Sequence, residues 1–454
     1  LEYKNNSTLF VSMDQLGLIH RYVGSGKKPH LSALGSKKWK NEVKKAKESA
    51  KEVVYEIFSL YSKKNTKRSF KYEKENDLDG VLSSSFSFVE TPDQKKAFDD
   101  VFEDMNSEEP MDRLISGDVG FGKTEVAIRA MFKAFLSNKM SVLLCPTTIL
   151  ADQHFITCKE RLAQFGVSIS LLSRFKTKKE QLKTLSMVKL GRVDILIGTH
   201  RLLSKDVQIS NLGLLVIDEE HRFGVNHKEK IRSIKNNVDV LTLTATPIPR
   251  TLQQALVGLK NLTTIKTPPT SRKPINTFVK YFNWSLVFSH IQKEVNRRGQ
   301  VYFLYNDIKG IPFVVKKIKD RFPEKTVVGA SGKMDSKNLE EVVLAFFDGF
   351  IDVLVCTTII ESGLDVTNAN TIIIHNAQNF GLAQLYQIRG RVGRGKRQAS
   401  CLLLIPHGKK LEKDSYSRLK AIEQNTALGS GHAISQKDLE IRGSGSLFGY
   451  KQSG

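Results

Sequence analysis

Short apolar runs alternate with longer amphipathic segments along most of this chain, and that rhythm constrains the fold more than any other feature does. Such runs, ending in turn residues, predict the strands of a parallel sheet, and the segments between them predict covering helices. Before residue 264 the runs are Arg113–Ser116, Val142–Cys145, Ile169–Leu172, Ile195–Ile197, Leu214–Ile217 and Leu241–Leu243. After residue 300 they are Val301–Leu304, Val327–Val328, Val353–Val355, Thr371–Ile374 and Cys401–Ile405. Thr267-Pro268-Pro269-Thr270 separates the two series, so the sequence predicts two similar α/β domains in tandem, joined by a hinge.

The composition is that of a globular protein. Of the 454 residues, 40% are hydrophobic and 26% are charged, which excludes a mainly disordered chain. No apolar run approaches the ~18 residues that a membrane-spanning helix needs, so we predict no membrane span. A membrane is not among the partners that we expect. The sequence opens Leu-Glu-Tyr-Lys without an initiator methionine, and we therefore expect a fragment of a longer protein.

The cysteines indicate the compartment. They are Cys145, Cys158, Cys356 and Cys401. No pair has zinc-ligand spacing and no dense disulfide framework is possible with so few, so a reducing cytoplasm fits. Three of them lie in or beside apolar runs, which predicts that they are buried as small hydrophobic side chains.

The charge balance points to a polyanionic partner. Basic residues outnumber acidic ones by 70 to 47, a net charge of +23. Charge alone does not separate nucleic acid from an anionic membrane surface. Basic side chains are densest between residues 21 and 75, where apolar residues recur at helical spacing from Ser36 to Lys64. The lysines between them are either a solvated helix face or a nucleic-acid contact.

A phosphate-binding loop is the most specific motif, because it fits the pattern G-x-x-x-x-G-K-[ST]. Its residues are Gly117, Asp118, Val119, Gly120, Phe121, Gly122, Lys123 and Thr124. An apolar run precedes the loop and an amphipathic stretch follows it, as a strand–loop–helix unit requires. Glycines let backbone N–H groups turn toward phosphate oxygens, and the helix N-terminus adds a positive dipole end. Lys123 can reach the β- and γ-phosphates and Thr124 can bind Mg²⁺, so the cofactors predicted are ATP and Mg²⁺.

An acidic run supports the same chemistry. Asp218-Glu219-Glu220-His221 directly follows an apolar run. A carboxylate at a strand end beside a phosphate loop is placed to hold Mg²⁺, which assigns that role to Asp218. Glu219 can orient and polarise the attacking water as a general base. Four polar residues at a strand end are common on protein surfaces, so the assignment depends on the phosphate loop upstream.

Further motifs occur in the order found in the superfamily-two helicases and translocases, which this chain resembles. Phe88-x-x-Thr91-x-x-Gln94 resembles the adenine-reading motif, and the resemblance implies that Phe88 and Gln94 bind ATP. It also implies two RecA-like domains with the nucleotide in the cleft between them.

The second domain contains a basic motif of the same superfamily. Residues 387–394 match Q-x-x-G-R-x-G-R, and arginines at this spacing suit fingers that reach the γ-phosphate from the other domain. Such fingers can raise a rate by ~10³–10⁵-fold. The resemblance implies catalytic roles for Gln387, Arg391 and Arg394. Taken alone, the loop could also be a basic surface that binds phosphates non-specifically.

Polar residues at other strand ends resemble the motifs that grip a DNA backbone, since short side chains let a phosphate approach N–H and hydroxyl donors. The residues so assigned are Thr147, Thr148, Arg174, Thr199, His200, Arg201, Thr357 and Thr358. A second set resembles the motifs that couple hydrolysis to DNA movement. Its members are Thr244, Thr246, Gly363, Asp365 and Arg442.

Within the superfamily, the resemblance is to the bacterial transcription-repair coupling factors and extends over nearly the whole chain. It rests on residues 117–127, 218–225, 244–251, 357–363 and 438–445. Ser362 and Thr367 depart mildly from the usual Thr and Pro.

This resemblance implies a division of the chain into five parts. Residues 1–32 would be a partial β module that interacts with RNA polymerase, and 33–80 a basic connecting helix. Residues 81–270 and 271–412 would be the two motor domains, and 413–454 the start of a translocation hairpin and loop.

The resemblance implies an ATP-driven motor that moves on double-stranded DNA without unwinding it and displaces stalled RNA polymerase. It further implies coupling to nucleotide-excision repair, with the damage-recognition protein recruited by a module that lies before residue 1. A monomer associated with the cytoplasmic nucleoid is expected.

Two other functions stay open. Branch-migration helicases share most of these motifs, but their acidic run usually reads Asp-Glu-Gln-His, whereas position 220 here is Glu. A polymerase-binding scaffold that uses ATP only as a conformational latch is the alternative outside the motor class.

Overall fold

The computed structural model describes residues 67–73, 76–174, 176–224, 227, 230–231, 238–245, 261–270, 272–358, 366–395, 397–408 and 411–442. All of them belong to one compact unit, Thr66–Gly454. The β module predicted at 1–32 and most of the predicted connecting helix lie outside the described residues.

The first lobe is built on a seven-stranded parallel sheet. Its strands are β1 (Asp112–Gly117), β2 (Met140–Leu144), β3 (Ile169–Leu172), β4 (Ile195–Gly198), β5 (Leu212–Asp218), β6 (Asp239–Thr244) and β7 (Asn261–Ile265). The order across the sheet is β3-β4-β2-β5-β6-β1-β7. Its helices are α1 (Asp77–Ser84), α2 (Pro92–Asn106), α3 (Lys123–Leu136), α4 (Thr148–Leu162) and α5 (Lys178–Lys189).

The second lobe is built on a six-stranded parallel sheet. Its strands are β8 (Asn276–Tyr281), β9 (Gln300–Leu304), β10 (Val327–Ala330), β11 (Val353–Cys356), β12 (Ala369–Ile374) and β13 (Ser400–Ile405). Its helices are α6 (Trp284–Asn296), α7 (Ile311–Arg321), α8 (Ser336–Phe347) and α9 (Leu382–Arg389), followed by α10 (Lys413–Gln424) and α11 (Gly431–Arg442). The last two helices pack against α9 and against each other.

The two lobes repeat one topology. The second sheet has the order β10-β11-β9-β12-β13-β8, and the first six strands of each lobe therefore follow the same sequence across the sheet. Hydrophobic clusters cover both sheets, as buried parallel strands require. The prediction of two similar α/β domains in tandem is confirmed, and each apolar run named above lies within or overlaps a strand.

The strands β7 and β8, which flank the break in the middle of the chain, were not among the predicted runs. Both lie at the edge of a sheet, and both alternate between buried and exposed positions instead of forming a continuous apolar run. Pro268 and Pro269 lie between them, at the predicted hinge.

All four cysteines are free and buried, as expected. Burial raises the pKa of the Cys158 thiol to about 12 and that of Cys401 to about 12, so these side chains stay protonated at neutral pH. None of the described helices is long and apolar enough to cross a membrane.

A buried carboxylate attaches residues 67–73 to the first sheet. Asp239 begins β6 and accepts hydrogen bonds from Arg68 Nη2 at 2.6 Å, Tyr72 Oη at 2.7 Å and Met111 N at 2.6 Å. The side chains of Arg68 and Asp239 are only 2% and 1% exposed. The domain boundary at residue 80 stays a prediction, but the chain already packs on the first lobe before it.

We predict that Asp239→Asn destabilises the first lobe strongly. Removing one partner of a buried ion pair typically costs ~3–5 kcal/mol, because the other charge stays buried without compensation. Urea unfolding, followed by hydrogen exchange of the β6 amides, measures the change. Glu108→Gln is the control, since its ion pair with Lys67 is exposed and should add almost nothing. Equal effects of the two substitutions would contradict the prediction.

Candidate ATP site between the two lobes

The phosphate loop has the predicted strand–loop–helix order, because β1 ends at Gly117 and α3 begins at Lys123. Gly120 and Gly122 have φ angles of 78° and 80°, a left-handed conformation that favours glycine. A Cβ at Gly122 would also lie 2.4 Å from the Gln94 Nε2 atom. The loop conformation therefore depends on glycine at both positions.

Lys123 is folded back onto its own loop. Its Nζ donates to the carbonyl oxygens of Gly117 at 2.6 Å and Asp118 at 2.9 Å. Burial lowers the pKa of Lys123, whereas the carboxylates of Glu219, Asp218 and Asp118 oppose that change. The ammonium group therefore lies close to the acidic run, in the position from which it can turn to a phosphate.

Gln94 connects α2 to the phosphate loop. It closes a capping box with Thr91, accepting from Thr91 N at 2.8 Å, and its Nε2 donates to the Phe121 carbonyl at 3.0 Å. Phe88, in contrast, is 62% exposed, so its ring can be covered by a ligand.

The neighbouring Asp93 holds the start of the segment that joins the lobes. Its Oδ2 accepts from Lys266 N and Thr267 N, both at 2.8 Å, and from Thr267 Oγ1 at 2.9 Å. Partial burial would raise the pKa of Asp93, but these hydrogen bonds outweigh it and lower the pKa.

The acidic run lies at the carboxyl end of β5, beside the phosphate loop. Glu219 has a φ of 51°, and its Oε1 accepts from Ala245 N at 3.2 Å. Burial and the Asp218 carboxylate raise the pKa of Glu219, whereas Lys123 and Arg391 act in the opposite direction. Glu219 is thus a half-buried carboxylate whose pKa is influenced by cations of both lobes. Glu220 begins a 3₁₀ turn and is half-buried, and the side chain of His221 lies outside the described structure.

His154 is a site residue that the sequence did not indicate. It lies on α4 and is buried, and its Nε2 is 3.0 Å from Asp218 Oδ2. A lone histidine on the apolar face of a helix carries no motif, so only the folded chain brings it to the acidic run.

The predicted arginines reach the acidic run from the second lobe. Arg391 is 4% exposed and follows α9, on which Gln387 lies. Burial and the charge of Arg394 lower the pKa of Arg391 to about 10, while Glu219 acts to raise it. The charge of Arg394 also acts to lower the pKa of Lys123. The structure therefore brings Lys123, Glu219, Arg391 and Arg394 together across the cleft.

Three further contacts join the lobes at the phosphate loop. Tyr386 Oη donates to Asp118 Oδ2, and the Arg272 guanidinium donates to the Val119 carbonyl. Gly390 packs against the Val119 side chain, which a Cβ there would approach to 3.4 Å. These residues border a pocket that is partly open to solvent. Sequence reasoning missed Tyr386 and Arg272, since neither belongs to a residue pattern that it used.

The donor set fits Mg²⁺ carried by a nucleotide. Thr124 offers a hydroxyl in the first turn of α3, and Asp218 offers a carboxylate at the end of β5. Within the described part of the chain, no group of three or more His, Cys, Asp or Glu side chains could hold a metal. Mg²⁺ commonly keeps several waters and takes one or two protein carboxylates together with substrate phosphates, and a sparse set of protein ligands therefore suits it.

The DNA-assigned residues of the first lobe line one edge of its sheet, because β3, β4 and β2 are neighbours and end at the same edge. Thr147 caps α4, Thr199 is 1% exposed, and Arg201 forms an ion pair with Asp206 at 2.5 Å. Burial lowers the pKa of His200, and the charge of the nearby Arg174 lowers it further.

One of the DNA-assigned residues is engaged between the lobes. Thr148 Oγ1 donates to Glu340 Oε1 on α8 at 2.6 Å, and Ile149 packs with Val343 beside it. In the second lobe Thr357 follows β11 and is buried, and Thr358 is half-buried.

Of the coupling residues, Thr244 ends β6 and is buried. Thr246, Gly363 and Asp365 lie outside the described residues. Arg442 ends α11, and its side chain is not described.

Two family models match the chain. The model for DEAD/DEAH box helicases matches residues 91–255, and that for the helicase conserved C-terminal domain matches residues 285–396. Over its full length the chain is 48% identical to a transcription-repair-coupling factor of Bacillus subtilis and 46% identical to one of Staphylococcus aureus. It spans only 39% of the length of each.

Solved structures share the two-lobed architecture. RecG bound to a three-way DNA junction aligns over 83% of this chain and 50% of its own, with a TM-score of 0.70 and 35% identity. Mss116p bound to single-stranded RNA and AMP-PNP aligns over 83% of this chain and 84% of its own, with a TM-score of 0.60. At 17% identity, the second likeness concerns the fold alone.

We predict that Glu219→Gln binds ATP nearly as well as the unaltered protein but lowers kcat by ~10²–10⁴-fold, the usual contribution of a general base. The amide keeps the size of the side chain but cannot take a proton. Single-turnover hydrolysis and nucleotide binding, measured separately, distinguish the two effects. Glu103→Gln on the exposed face of α2 makes the same charge change away from the cleft. A near-normal kcat in Glu219→Gln would exclude this residue as the base.

Proposed function

Because the chain belongs to the superfamily-two helicases and matches the transcription-repair-coupling factors over its full length, we propose that it is the motor segment of a translocase on double-stranded DNA. The translocase pushes a stalled RNA polymerase forward and so couples transcription to nucleotide-excision repair. The chain itself is a DNA-dependent ATPase of that superfamily. Since it spans 39% of the curated relatives, the activity of the whole protein is part of the proposal.

The observation that carries the hydrolytic part is the convergence of Lys123, Glu219 and Arg391. These residues are far apart in sequence and come from two lobes, yet each shifts the pKa of a neighbour in the same cleft. A scaffold that used ATP only as a latch would need a phosphate-binding lysine, but it would not need a carboxylate whose pKa is influenced by an arginine of the other lobe. The arrangement therefore favours turnover over the latch.

Each side chain has a distinct part in hydrolysis. Lys123 exchanges its two carbonyl partners for the β- and γ-phosphates, and Glu219 orients the attacking water and accepts its proton. Arg391 and Arg394 approach the γ-phosphate from the second lobe and stabilise the charge that develops there. Gln387 lies on α9, which leads to these arginines, and acts with them.

The first lobe supplies the residues that hold the base, the phosphates and the metal. Gln94 and Phe88 receive the base, and the loop from Gly117 to Thr124 receives the phosphates. Mg²⁺, when bound, neutralises phosphate charge, and Thr124 and Asp218 are the residues that would hold it. Lobe closure changes the contacts of Asp118 with Tyr386, so nucleotide state and domain position are linked.

Duplex DNA lies along the carboxyl edges of both sheets in this proposal. Thr147, Thr148, Thr199 and Thr357 contact the sugar-phosphate backbone, and Arg174, His200, Arg201 and Thr358 complete the surface. Backbone contacts carry no sequence information, which suits a motor that must move over any sequence. Thr244, Thr246, Gly363, Asp365 and Arg442 link these contacts to hydrolysis.

The segments proposed to bind protein partners lie outside the described part of the chain. RNA polymerase would bind the module at residues 1–32, and the excision-repair damage-recognition protein would bind a module outside this chain. The basic connecting helix predicted at 33–80 would connect the polymerase to the motor.

A branch-migration helicase is the second candidate. The match to RecG on a three-way DNA junction, at a TM-score of 0.70 and 35% identity, favours it. Identity to the transcription-repair-coupling factors is higher, at 48%, and it covers the entire chain. Glu220 also departs from the glutamine usual in branch-migration helicases.

We predict that blunt duplex DNA stimulates the ATPase of the full-length protein without strand separation. Affinity should be indifferent to sequence and should fall steeply with salt, since each neutralised phosphate contributes about −0.9 to the slope of log K against log salt. The same protein should displace a stalled RNA polymerase, and deletion of the polymerase module should abolish displacement while ATPase stimulation is retained.

The alternatives give different results. Unwinding of a blunt duplex, or a strong preference for forked DNA, would favour the branch-migration helicase. Absence of multiple turnover with any DNA would favour the scaffold. If the protein that lacks this module still displaced the polymerase at the normal rate, the polymerase would dock elsewhere.

We predict that Glu340→Gln raises duplex affinity about fivefold at low salt. The substitution weakens the bond that occupies Thr148 and removes a carboxylate from a surface that receives phosphates, and such a charge contact is worth ~1 kcal/mol near water. Fluorescence anisotropy with labelled duplex measures the change. Glu341→Gln is the matched control, because its side chain is 64% exposed and its ion pair with Lys337 lies in solvent. Unchanged duplex affinity in Glu340→Gln would show that Thr148 is not part of the DNA-binding surface.

A further inference from the structure

We propose that His154 is a positioning residue of the hydrolytic centre, which orients the Asp218 carboxylate for Mg²⁺ and ties the DNA-facing helix α4 to ATP turnover. The inference deepens the proposed function and rests on its assignment of Asp218 as a metal ligand. His154 itself would touch neither the nucleotide nor the metal.

The geometry fixes which atom does what. An ionised carboxylate only accepts hydrogen bonds, so the His154 Nε2–H must donate to Asp218 Oδ2 across the 3.0 Å that separates them. That bond occupies one carboxylate oxygen and leaves Oδ1 for a metal. Hydrogen-bonded partners of this kind set the direction of metal-binding carboxylates, and their loss typically costs 10–100-fold in metal affinity or activity.

Packing argues that the histidine is present for this bond. The buried face of α4 includes Ala151, His154, Cys158 and Leu162, a helical stripe in which His154 is the only residue with a strongly polar side chain. The side chains of His154 and Asp218 are only 8% and 12% exposed. Burying an imidazole costs free energy unless it is hydrogen-bonded, and a leucine would pack at this position without that cost.

The helix itself supplies the connection to DNA. Thr147 caps α4 and Thr148 is its first residue, and both belong to the motif assigned to the DNA backbone. His154 follows six residues later, roughly 9 Å along the helix at 1.5 Å per residue. A hydrogen-bonded helix moves as a unit over this length. When DNA replaces Glu340 as the hydrogen-bond partner of Thr148, the resulting shift of α4 therefore reaches Asp218 through His154.

A pair of amide substitutions tests the positioning role. The amide nitrogen of Gln lies near the place of the imidazole Nε2, whereas that of Asn is one methylene short of Asp218. His154→Gln should therefore keep the orientation of the carboxylate, and His154→Asn should lose it although it is equally polar. His154→Leu removes the donor while filling the space. Cys158→Ala, one turn further along the same buried stripe, controls for altered packing.

The first measurement needs no turnover. A fluorescent ADP analogue is bound to the full chain, with and without Mg²⁺, and the metal is titrated against the complex. We expect His154→Asn and His154→Leu to weaken Mg²⁺ affinity by ~10–100-fold, with metal-free ADP affinity unchanged. His154→Gln should stay within about threefold of the unaltered protein, and Cys158→Ala should not change the metal affinity.

The second measurement concerns coupling. In His154→Asn, stimulation of the ATPase by saturating duplex DNA should fall by at least tenfold at saturating Mg²⁺, while the Kd for DNA is unchanged. A purely structural histidine would lower the thermal midpoint without separating these two quantities.

The outcomes distinguish the inference from the proposed function. Asp218→Asn serves as the reference and should lose Mg²⁺ affinity at least as strongly. If Asp218→Asn binds Mg²⁺–ADP normally, the metal assignment in the proposed function is wrong. If Asp218→Asn is weakened but His154→Asn and His154→Gln behave alike, His154 does not position the carboxylate and the inference is overturned.

Discussion

Parallel pairing places the carboxyl end of every strand in a lobe at one edge of its sheet, and the chemistry of this protein depends on that constraint. The phosphate loop follows β1, the acidic run follows β5, and the polar residues assigned to DNA follow β2, β3 and β4. None of these segments is near the others in sequence. The strand order brings them to a shared edge, and a repeat of the same order in the second lobe supplies a matching edge opposite it.

The cleft between those edges concentrates charge of both signs. Lys123 on its own lobe and Arg391 on the other both act on the pKa of Glu219, and burial shifts the pKa of each of the three groups in the direction of the neutral form. A buried set of this kind is stable only when it is balanced. Nucleotide phosphates add several negative charges to it, so binding favours closer approach of the arginines, and product release favours their withdrawal.

Sequence patterns predicted those parts of the fold and site that local chemistry determines. Continuous apolar runs marked the buried strands, and the glycine-rich loop pattern marked Lys123 as a phosphate-binding residue. The edge strands β7 and β8 escaped, because an alternating strand with one exposed face forms no continuous run. His154 and Tyr386 escaped for a different reason. Each acts on a residue far away in sequence, His154 on Asp218 and Tyr386 on Asp118, and only the tertiary fold determines those distances.

Two adjacent residues at the start of α2 hold two different segments, the linker between the lobes and the phosphate loop. Asp93 clamps the root of the linker between the lobes through three hydrogen bonds, and Gln94 holds the phosphate loop through the Phe121 carbonyl. The pivot of any lobe rotation must therefore lie beyond Thr267. In the proposed translocase, a torque that loaded DNA exerted on the second lobe would reach the N-terminus of α2, where Gln94 contacts the phosphate loop, so mechanical resistance would alter the affinity for nucleotide.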